Sequence, residues 1–392
     1  MSSTLEDSPH DDELPPWNKW PKPSLEDTPE EWETFQKNRN ILESHKMISC
    51  YAAFNHMRIG RAGDMKTCCF SMSHRLWQKG KFGLRDWWFG ETNNEHREEF
   101  LNNTIHHGCK RVCGTRIANK LPPPIVDYDW NYGNDRLEHA MDPDAYPKAF
   151  DLEISNLCNM ACPMCMGDLS SKHMLGRDKD LKKYQPNMFD DDENLEQLTL
   201  ELEEFIPHLE VLRFTGGEPF AHKAFYKIAE LSVKLNPMLR IEVCTNGSIY
   251  NTKVDKYASL LPNLEISVSL DTVNPEEYSK IRIGGKYENT MENIEKFKNK
   301  LGSKNIKINS TLMSVNATHI DKFFQYGKEN GYEIFMNVYS RSAREHTPDW
   351  SLHTVDGNKL KQIINKIKPW LDDPIYEVAA RKTISLLKQA IT

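Results

Sequence analysis

Nine cysteines are the side chains of this sequence best suited to metal chemistry, and three of them stand close together. Cys158, Cys162 and Cys165 have the spacing C-x3-C-x2-C. Three thiolates on so short a loop can converge on one iron–sulfur cluster, and a four-iron cube with three protein ligands keeps one iron open for catalysis. The alternative is a structural zinc loop, in which His173 would supply the fourth ligand.

A second group of cysteines is spread over the N-terminal part of the chain and consists of Cys50, Cys68, Cys109 and Cys113. Gly63 predicts a hairpin turn that presents Cys50 and Cys68 on neighbouring strands. Cys109 and Cys113 are predicted to lie one helical turn apart and to close the site. Four cysteines fit one fully ligated [4Fe–4S] cluster.

Four further side chains leave alternatives open. Cys69 is a vicinal thiol beside Cys68, so either of the two sulfurs can be the ligand. His106 and His107 keep a zinc ribbon-like module as the alternative for the N-terminal group. Cys244 stands apart at the end of a predicted strand. We interpret it as a small buried core residue, and the alternative is a thiol that donates a hydrogen atom near a reactive site.

The elements that position these residues follow from the hydrophobic pattern. Short apolar runs predict strands at Ala149–Ser155, Leu209–Thr215, Arg240–Thr245, Leu264–Ser269, Ile306–Leu312 and Tyr332–Tyr339. Helical patterns are found at Leu195–Ile206, Ala224–Leu235, Thr290–Lys300 and Ile320–Asn330. Strands that alternate with such helices predict parallel β/α units. Six units predict an α/β fold with a partial barrel, whose functional residues follow the carboxyl ends of the strands.

Changes in composition divide the chain into five predicted regions. They are an acidic, proline-rich tail over 1–45, a cysteine-rich domain over 46–120, a linker arm over 121–148, the partial barrel over 149–345 and a helical extension over 346–392. A short helix is predicted near Glu31–Glu43. The extension is predicted as two helices that are split near Pro369 and Pro374.

Composition and charge exclude several classes of protein. The 392 residues carry 50 Lys and Arg against 57 Asp and Glu, and this net charge of −7 disfavours nonspecific binding to nucleic acid. No apolar run approaches the length of a membrane span, so no membrane partner is expected. The acidic N-terminus differs from a signal peptide, which predicts a cytoplasmic protein whose cysteines do not form a disulfide framework.

The cysteine loop and the motifs after it resemble the radical S-adenosylmethionine (radical SAM) enzymes. The run Ile154–Cys165 is similar to the family's cysteine signature, and Thr215–Pro219 follows the second predicted strand as the family's GGEP motif does. Thr245–Gly247 follows the third strand, and Ser267–Asp271 ends the fourth. The resemblance covers roughly residues 149–340, with the motifs in the family's order.

This resemblance implies a SAM-binding [4Fe–4S] cluster on the three clustered cysteines. It also implies cofactor-binding roles for Gly216, Gly217, Glu218, Thr245, Asn246, Ser269 and Asn309. The glycines would let the backbone approach the ligand closely. Glu218 would accept a hydrogen bond from the methionine amine, and Ser269 would contact the ribose or the carboxylate. Asp271 ends the Ser267–Asp271 motif, and its alternative role is that of a helix N-cap. Asn309 and Asn316 would help to bind the nucleoside or the methionine moiety, and the alternative for both is loop capping.

The implied reaction is a reductive cleavage of SAM by a radical SAM enzyme. An electron from a flavodoxin- or ferredoxin-type donor would pass through the cluster, and the products would be methionine and a 5′-deoxyadenosyl radical. The radical would abstract hydrogen from a small molecule or a peptide. The alternative is a noncatalytic iron–sulfur or zinc scaffold that retains the barrel.

The N-terminal cysteines resemble a different module, the auxiliary-cluster domains called SPASM and twitch. The pattern Cys50-x12-Gly63-x4-Cys68 is followed by the pair Cys109 and Cys113, as in those domains. Leu84, Trp88 and Arg97 are similar to the Leu…Trp…Arg segment between the ligands. Four cysteines make the domain twitch-like and imply a second, auxiliary [4Fe–4S] cluster. The family usually places this domain after the barrel, whereas here it comes first.

Overall fold

A computed structural model describes residues 29–72, 74–118, 138, 141–153, 155–176, 179, 187–339 and 348–391. The described residues fall into two compact units. Unit 1 comprises those before residue 155 together with those of 185–212, and unit 2 comprises those of 155–184 and 213–392. The first 28 residues of the predicted tail and most of the predicted linker arm lie outside the described residues.

The fold is a mixed α/β structure. The strands are β1 (His56–Ile59), β2 (Asp64–Lys66), β3 (Arg75–Leu76), β4 (Ala149–Leu152), β5 (Val211–Phe214), β6 (Arg240–Thr245), β7 (Leu264–Ser269), β8 (Ile306–Leu312) and β9 (Glu333–Val338). The α-helices of unit 1 are Pro29–Asn38, Ala52–Asn55, Leu84–Trp88, Glu91–Leu101, His107–Cys109, Thr115–Ala118 and Asp192–Phe205, with a π-helical turn at Lys110–Gly114. Those of unit 2 are Ser171–Leu175, Lys223–Leu235, Thr252–Leu260, Pro275–Ile281, Tyr287–Leu301, Ile320–Asn330, Gly357–Ile367 and Glu377–Gln389. Short 3-10 turns lie at Glu43–His45, Met188–Asp190, Ile206–His208, Pro219–Ala221, Ser303–Asn305, Ala317–His319, Leu352–Thr354 and Lys368–Asp372.

In unit 1 the strands are short, and β1 pairs with two partners. It is antiparallel to β2 and parallel to β4. Gly63 has a φ of 80° in the turn between β1 and β2, which confirms the predicted hairpin. The prediction that Cys50 and Cys68 lie on the paired strands is wrong. The helix Ala52–Asn55 separates Cys50 from β1, and β2 ends before Cys68.

In unit 2 the strands β6, β7, β8 and β9 pair in parallel in that order. Their residues alternate in burial: Ile241, Val243 and Thr245 of β6 are buried, whereas Glu242 and Cys244 between them are half-buried. In a parallel sheet that helices cover on both faces, each strand is a continuous apolar run. The alternation of buried and half-buried residues here therefore means that one face of the sheet is packed and the other is polar. This arrangement confirms the predicted α/β class with parallel strands.

The polar face of these strands carries a row of ion pairs. Arg213 bonds to Glu242 at 2.8 Å, and Lys307 pairs with Glu265 at 3.0 Å. Cys244 shares this face, so the interpretation of Cys244 as a fully buried core residue is wrong. Its alternation with buried Val243 and Thr245 along a β-strand is the physical reason.

Several element boundaries agree with the hydrophobic pattern. The strands β6, β7 and β8 and the helix Ile320–Asn330 have the predicted ends. The C-terminal part forms two helices around a 3-10 turn that contains Pro369, as predicted. No helix among the described residues has the length and apolar character required to traverse a bilayer.

Candidate active site

The cysteine loop, which we define as residues 155–176, is held in shape by its own polar groups. Asn156 donates from Nδ2 to the carbonyl of Gly167 at 2.7 Å, and Ser170 Oγ donates to the carbonyl of Met160 at 2.9 Å. Ser171 Oγ accepts from the backbone N–H of Cys158 at 3.1 Å. These bonds fold the loop back on itself, so its three thiols are fixed by local structure.

The three thiols of the loop lie close enough to affect each other. None of them is in a disulfide, and Cys162 is buried while Cys158 and Cys165 are half-buried. Burial raises the pKa of each, and burial together with the neighbouring sulfurs raises the pKa of Cys165 to about 12. Thiols with raised pKa values stay protonated at neutral pH, so a metal cluster that binds here must displace their protons.

His173 does not act as a fourth zinc ligand in this structure. Its Nε2 lies 2.7 Å from the carbonyl oxygen of Cys162. Because a carbonyl can only accept, Nε2 carries the proton and donates it. A zinc ion would also hold each thiolate sulfur at about 2.3 Å from the metal, and this brings the sulfurs within van der Waals contact of one another. Within the described residues, one group of three potential ligands has its donor atoms within 4.8 Å of one another. It consists of Glu99, His106 and His107.

The GGEP loop, residues 216–219 after β5, packs directly on the cysteine loop. Gly217 N donates to the carbonyl of Ser155 at 2.9 Å, and Glu218 N donates to the carbonyl of Leu157 at 2.7 Å. A Cβ atom on Gly217 would lie 2.3 Å from that Leu157 oxygen. Gly217 is therefore needed for contact with the cysteine loop, and its predicted approach to a ligand stays a prediction. Gly216 has a φ of 108°, which favours glycine.

The Glu218 carboxylate is turned into the protein. It accepts from Thr245 Oγ1 at 2.8 Å, from the backbone N–H of Asn246 at 2.7 Å and from that of Phe220 at 3.2 Å. Its residue is 1% exposed, and burial raises the pKa of the carboxyl to about 7. With three protein donors and almost no exposure, the carboxylate ties the GGEP loop to the end of β6. The expected contact of Glu218 with an amine ligand stays a prediction.

Asn246 connects this loop to a cysteine. Its side-chain amide donates to Asn159 Oδ1 at 2.8 Å and reaches Cys158 Sγ at 3.8 Å. Thr245 is buried, and its hydroxyl donates to Glu218 at 2.8 Å. The structure thus brings together the three cysteines, the GGEP loop and the Thr245–Gly247 turn at one end of the parallel strands.

Ser269 and Asn309 lie on the polar face of the sheet. They are register partners on β7 and β8. Asn309 donates from Nδ2 to Ser267 Oγ at 2.8 Å, while its buried Oδ1 has no hydrogen-bond partner among the described residues. An unpaired buried acceptor suits a ligand donor. Asn316 instead caps its own loop, because its Oδ1 accepts from the backbone N–H of Met313 at 2.8 Å.

Arg282, which pairs with Asp271, is the part of the site that sequence reasoning missed. Arg282 Nη2 pairs with Asp271 Oδ2 at 2.6 Å, and Arg282 Nη1 lies 3.9 Å from Cys162 Sγ. The alternative role of Asp271 as an N-cap is wrong, because Asn274 caps the helix Pro275–Ile281. A signal was present in the adjacent Gly284 and Gly285, which pack against the cysteine loop and bring Arg282 to it.

The N-terminal cysteines form a separate group inside unit 1. Cys50, Cys68, Cys109 and Cys113 belong to one buried cluster of side chains. Burial raises the pKa of Cys109 well above its ordinary value, and the sulfurs of the other three add to this. Cys69 is exposed and lies outside that cluster, which favours Cys68 as the inward-facing thiol.

The histidines beside this group are engaged in local structure. His106 Nδ1 accepts from the backbone N–H of Gly108 at 3.1 Å, so its Nε2 carries the proton when the ring is neutral. His96 packs edge-on against His106 with ring centroids 3.6 Å apart, and burial lowers its pKa to about 3. The zinc alternative would have to break the His106 cap. Cys113 lies in a π-helical turn rather than the predicted α-helical one.

Three cysteine thiols share one loop, which packs against motifs at the ends of parallel strands. This arrangement is typical of an α/β protein whose cysteine loop binds an iron–sulfur cluster. Residues 152–327 match the family model described as the radical SAM superfamily. Residues 152–327 are therefore identified as a radical SAM domain.

Two relatives are similar to part of this chain. A probable GTP 3′,8-cyclase of Methanococcus maripaludis (strain C5) is 28% identical over 222 residues, which are 56% of this chain and 66% of that protein. The GTP 3′,8-cyclase of Mannheimia succiniciproducens is 26% identical over 52% of this chain and 56% of its own length. The chain thus spans between about half and two thirds of these relatives.

Two solved structures are also similar. Native anSMEcpe with bound AdoMet is 21% identical, with a TM-score of 0.41 over 57% of this chain and 60% of that chain. Streptococcus suis SuiB bound to S-adenosylmethionine is 14% identical, with a TM-score of 0.44 over 71% of this chain and 63% of that chain.

Proposed function

We propose that this chain is a radical SAM enzyme that cleaves S-adenosylmethionine reductively and removes a hydrogen atom from a small molecule or a peptide. The observation that carries the proposal is the convergence of Cys158, Cys162 and Cys165 with the GGEP loop. When bound, a [4Fe–4S] cluster and SAM together supply a 5′-deoxyadenosyl radical for hydrogen abstraction. A noncatalytic iron–sulfur or zinc scaffold would not require three thiols beside a GGEP loop.

The donor set of the cysteine loop fits a cluster of this kind. Its thiols are mutually close but wider apart than the ligands of one ion, as expected when each sulfur belongs to a different iron. Asn246 would donate to the Cys158 sulfur and hold it in place. Glu218 would fix the loop through Thr245 and Asn246, leaving the backbone of Gly216 and Gly217 as the surface available to the methionine end of SAM.

The polar face supplies candidates for the remaining contacts. Asn309 Oδ1 has no hydrogen-bond partner within the described part of the chain, so it would accept from a ribose hydroxyl or an amine. Ser269, its register partner, would add a hydroxyl at the same level of the sheet. Cys244 is half-buried on this face, so donation of a hydrogen atom from its thiol stays a proposal.

Unit 1 is proposed to hold the auxiliary [4Fe–4S] cluster on Cys50, Cys68, Cys109 and Cys113. Four protein ligands leave no open iron, so this cluster would not bind SAM. The Cys109→Ala/Cys113→Ala double variant is expected to lose about four irons and substrate turnover, while uncoupled cleavage of SAM persists. Mössbauer spectra that show both clusters intact in this variant would refute the ligand assignment. Full substrate turnover despite loss of one cluster would refute the functional role.

Partners and substrate extend the proposal further. A flavodoxin- or ferredoxin-type protein would supply the electron. None of the nine cysteines is in a disulfide, which suits the reducing cytoplasm as the proposed location. The relatives are named for GTP, so GTP is the first small molecule to assay, and a peptide substrate is the other class.

Metal analysis after anaerobic reconstitution tests the proposal. The protein is expected to hold about eight irons with equivalent labile sulfide, two cubes of four. The Cys158→Ala/Cys162→Ala/Cys165→Ala variant should retain about four. Stoichiometric zinc without labile sulfide after anaerobic purification would contradict the assignment.

A further inference from the structure

The Asp271–Arg282 pair lies buried beside a proposed cluster ligand. Asp271 is 1% exposed and Arg282 is 9% exposed, and their charged groups are 2.6 Å apart. The second terminal nitrogen of the guanidinium lies 3.9 Å from Cys162 Sγ. Removing two charges from water is costly, and such a pair is weak evidence for stability alone. Its position next to a sulfur therefore calls for another explanation.

The backbone around Asp271 is held in an uncommon conformation. Its φ is 65°, in the left-handed region that residues with a side chain seldom adopt. Three contacts fix it: Ser310 Oγ and Asn316 Nδ2 donate to its carbonyl, and the Thr311 N–H donates to Oδ1 at 2.8 Å. Strain of this kind persists where the surroundings overdetermine it, which occurs at functional sites. The carboxylate is thus fixed before Arg282 binds it.

The segment that carries Arg282 is fastened to the cysteine loop. The N–H of Ala161 donates to the carbonyl of Ile283 at 2.8 Å. A Cβ atom on Gly285 would lie 2.5 Å from Met160 Cε, so the segment packs tightly on the residues between Cys158 and Cys162. The distance from the guanidinium to the sulfur is therefore set by packing and does not depend on a mobile side chain alone.

We infer that Asp271 and Arg282 act as a positioning pair that sets the reduction potential of the cluster held by Cys162. The inference rests on the proposed function. Reduction adds one electron from a one-electron reductant to the cluster and breaks no bond. Arg282 stabilises the added negative charge through the Cys162 sulfur, and Asp271 aims the guanidinium and offsets part of its charge. Hydrogen bonds to sulfur and local charge are known determinants of cluster potential.

Potentiometric EPR titration of the full-length reconstituted protein tests this inference. The signal to follow is the reduced cluster that responds to added SAM. In Arg282→Gln the reduction equilibrium is expected to shift at least tenfold toward the oxidised form, a midpoint about 59 mV more negative. In Asp271→Asn, which keeps the size and the acceptor oxygen, the midpoint should move the opposite way. Arg282→Lys keeps the charge and should fall between wild type and Arg282→Gln.

A control and a second readout separate this role from a structural one. Lys328, on the helix Ile320–Asn330, pairs with Asp373 at 3.0 Å. Lys328→Gln removes this cation and should leave the midpoint potential of the cluster unchanged. Iron and sulfide content in Asp271→Asn and Arg282→Lys should equal that of wild type. These two variants test the inference if Arg282→Gln fails to assemble its cluster. Unchanged midpoints, or shifts of the same sign in the Asp271 and Arg282 variants, would overturn the inference.

Failure of the inference is distinct from failure of the proposed function. If wild type forms a SAM-responsive cluster while the variants keep its potential, the inference alone fails. If wild type forms no such cluster, the proposed function fails and the inference with it.

Discussion

Replacing Glu218 with Gln should change how the stability of the protein depends on pH. Burial raises the pKa of this carboxyl from 4.5 to about 7. Between these values the folded chain keeps a proton that the unfolded chain has released, so the free energy of unfolding falls as pH rises through the window. At about 1.4 kcal/mol for each tenfold change, the loss is about 3 kcal/mol. A glutamine carries no titrating group and removes this dependence.

Urea denaturation of the metal-free protein between pH 4.5 and 8, followed by tryptophan fluorescence, measures the effect. The quantity to compare is the unfolding free energy of wild type minus that of Glu218→Gln, because the other titrating groups cancel. It should fall by about 3 kcal/mol across the range. Thr245→Val provides a check, because the Thr245 hydroxyl lowers the pKa of Glu218 and its loss should move the midpoint to higher pH. A difference that stays flat with pH would refute the buried position of the carboxylate.

Two further predictions concern packing and ligand choice. Gly217→Ala should destabilise the protein by roughly 1–3 kcal/mol in urea denaturation, because the added Cβ would meet the Leu157 carbonyl at 2.3 Å. The matched Gly357→Ala, with nothing within 4 Å, should be neutral or stabilising; equal losses in both would contradict the packing argument. Cys68→Ser should remove about four irons on reconstitution while Cys69→Ser keeps them all, and the reverse result would make the exposed sulfur the ligand.

The parallel strands could be predicted from sequence because their pattern is local. In β6, β7 and β8 every second residue is buried, and most of these residues are apolar, so the alternation marks both the strands and the packed face. The pairing of β1 with β4 could not be predicted in this way. Its partners, such as His56 and Ala149, are far apart in the chain, and short strands carry little pattern of their own.

The site was predictable where a motif is contiguous and unpredictable where it depends on tertiary contacts. The spacing of Cys158, Cys162 and Cys165 is visible in the sequence, but the guanidinium of Arg282 reaches Cys162 across 120 positions. The inward orientation of Glu218 depends likewise on donors from β6, 27 positions away. Residue type alone indicated that Glu218 matters, while the direction of its carboxylate follows from the packing of two loops.

The central claim is that the cysteine loop holds a cluster that cleaves SAM. Its most direct test is formation of 5′-deoxyadenosine by the anaerobically reconstituted protein with SAM and dithionite, measured by chromatography. The account predicts multiple turnovers or uncoupled cleavage in wild type, and none in the Cys158→Ala/Cys162→Ala/Cys165→Ala variant. Absence of 5′-deoxyadenosine from wild type that carries its full iron and sulfide, or equal amounts from the triple variant, would contradict it.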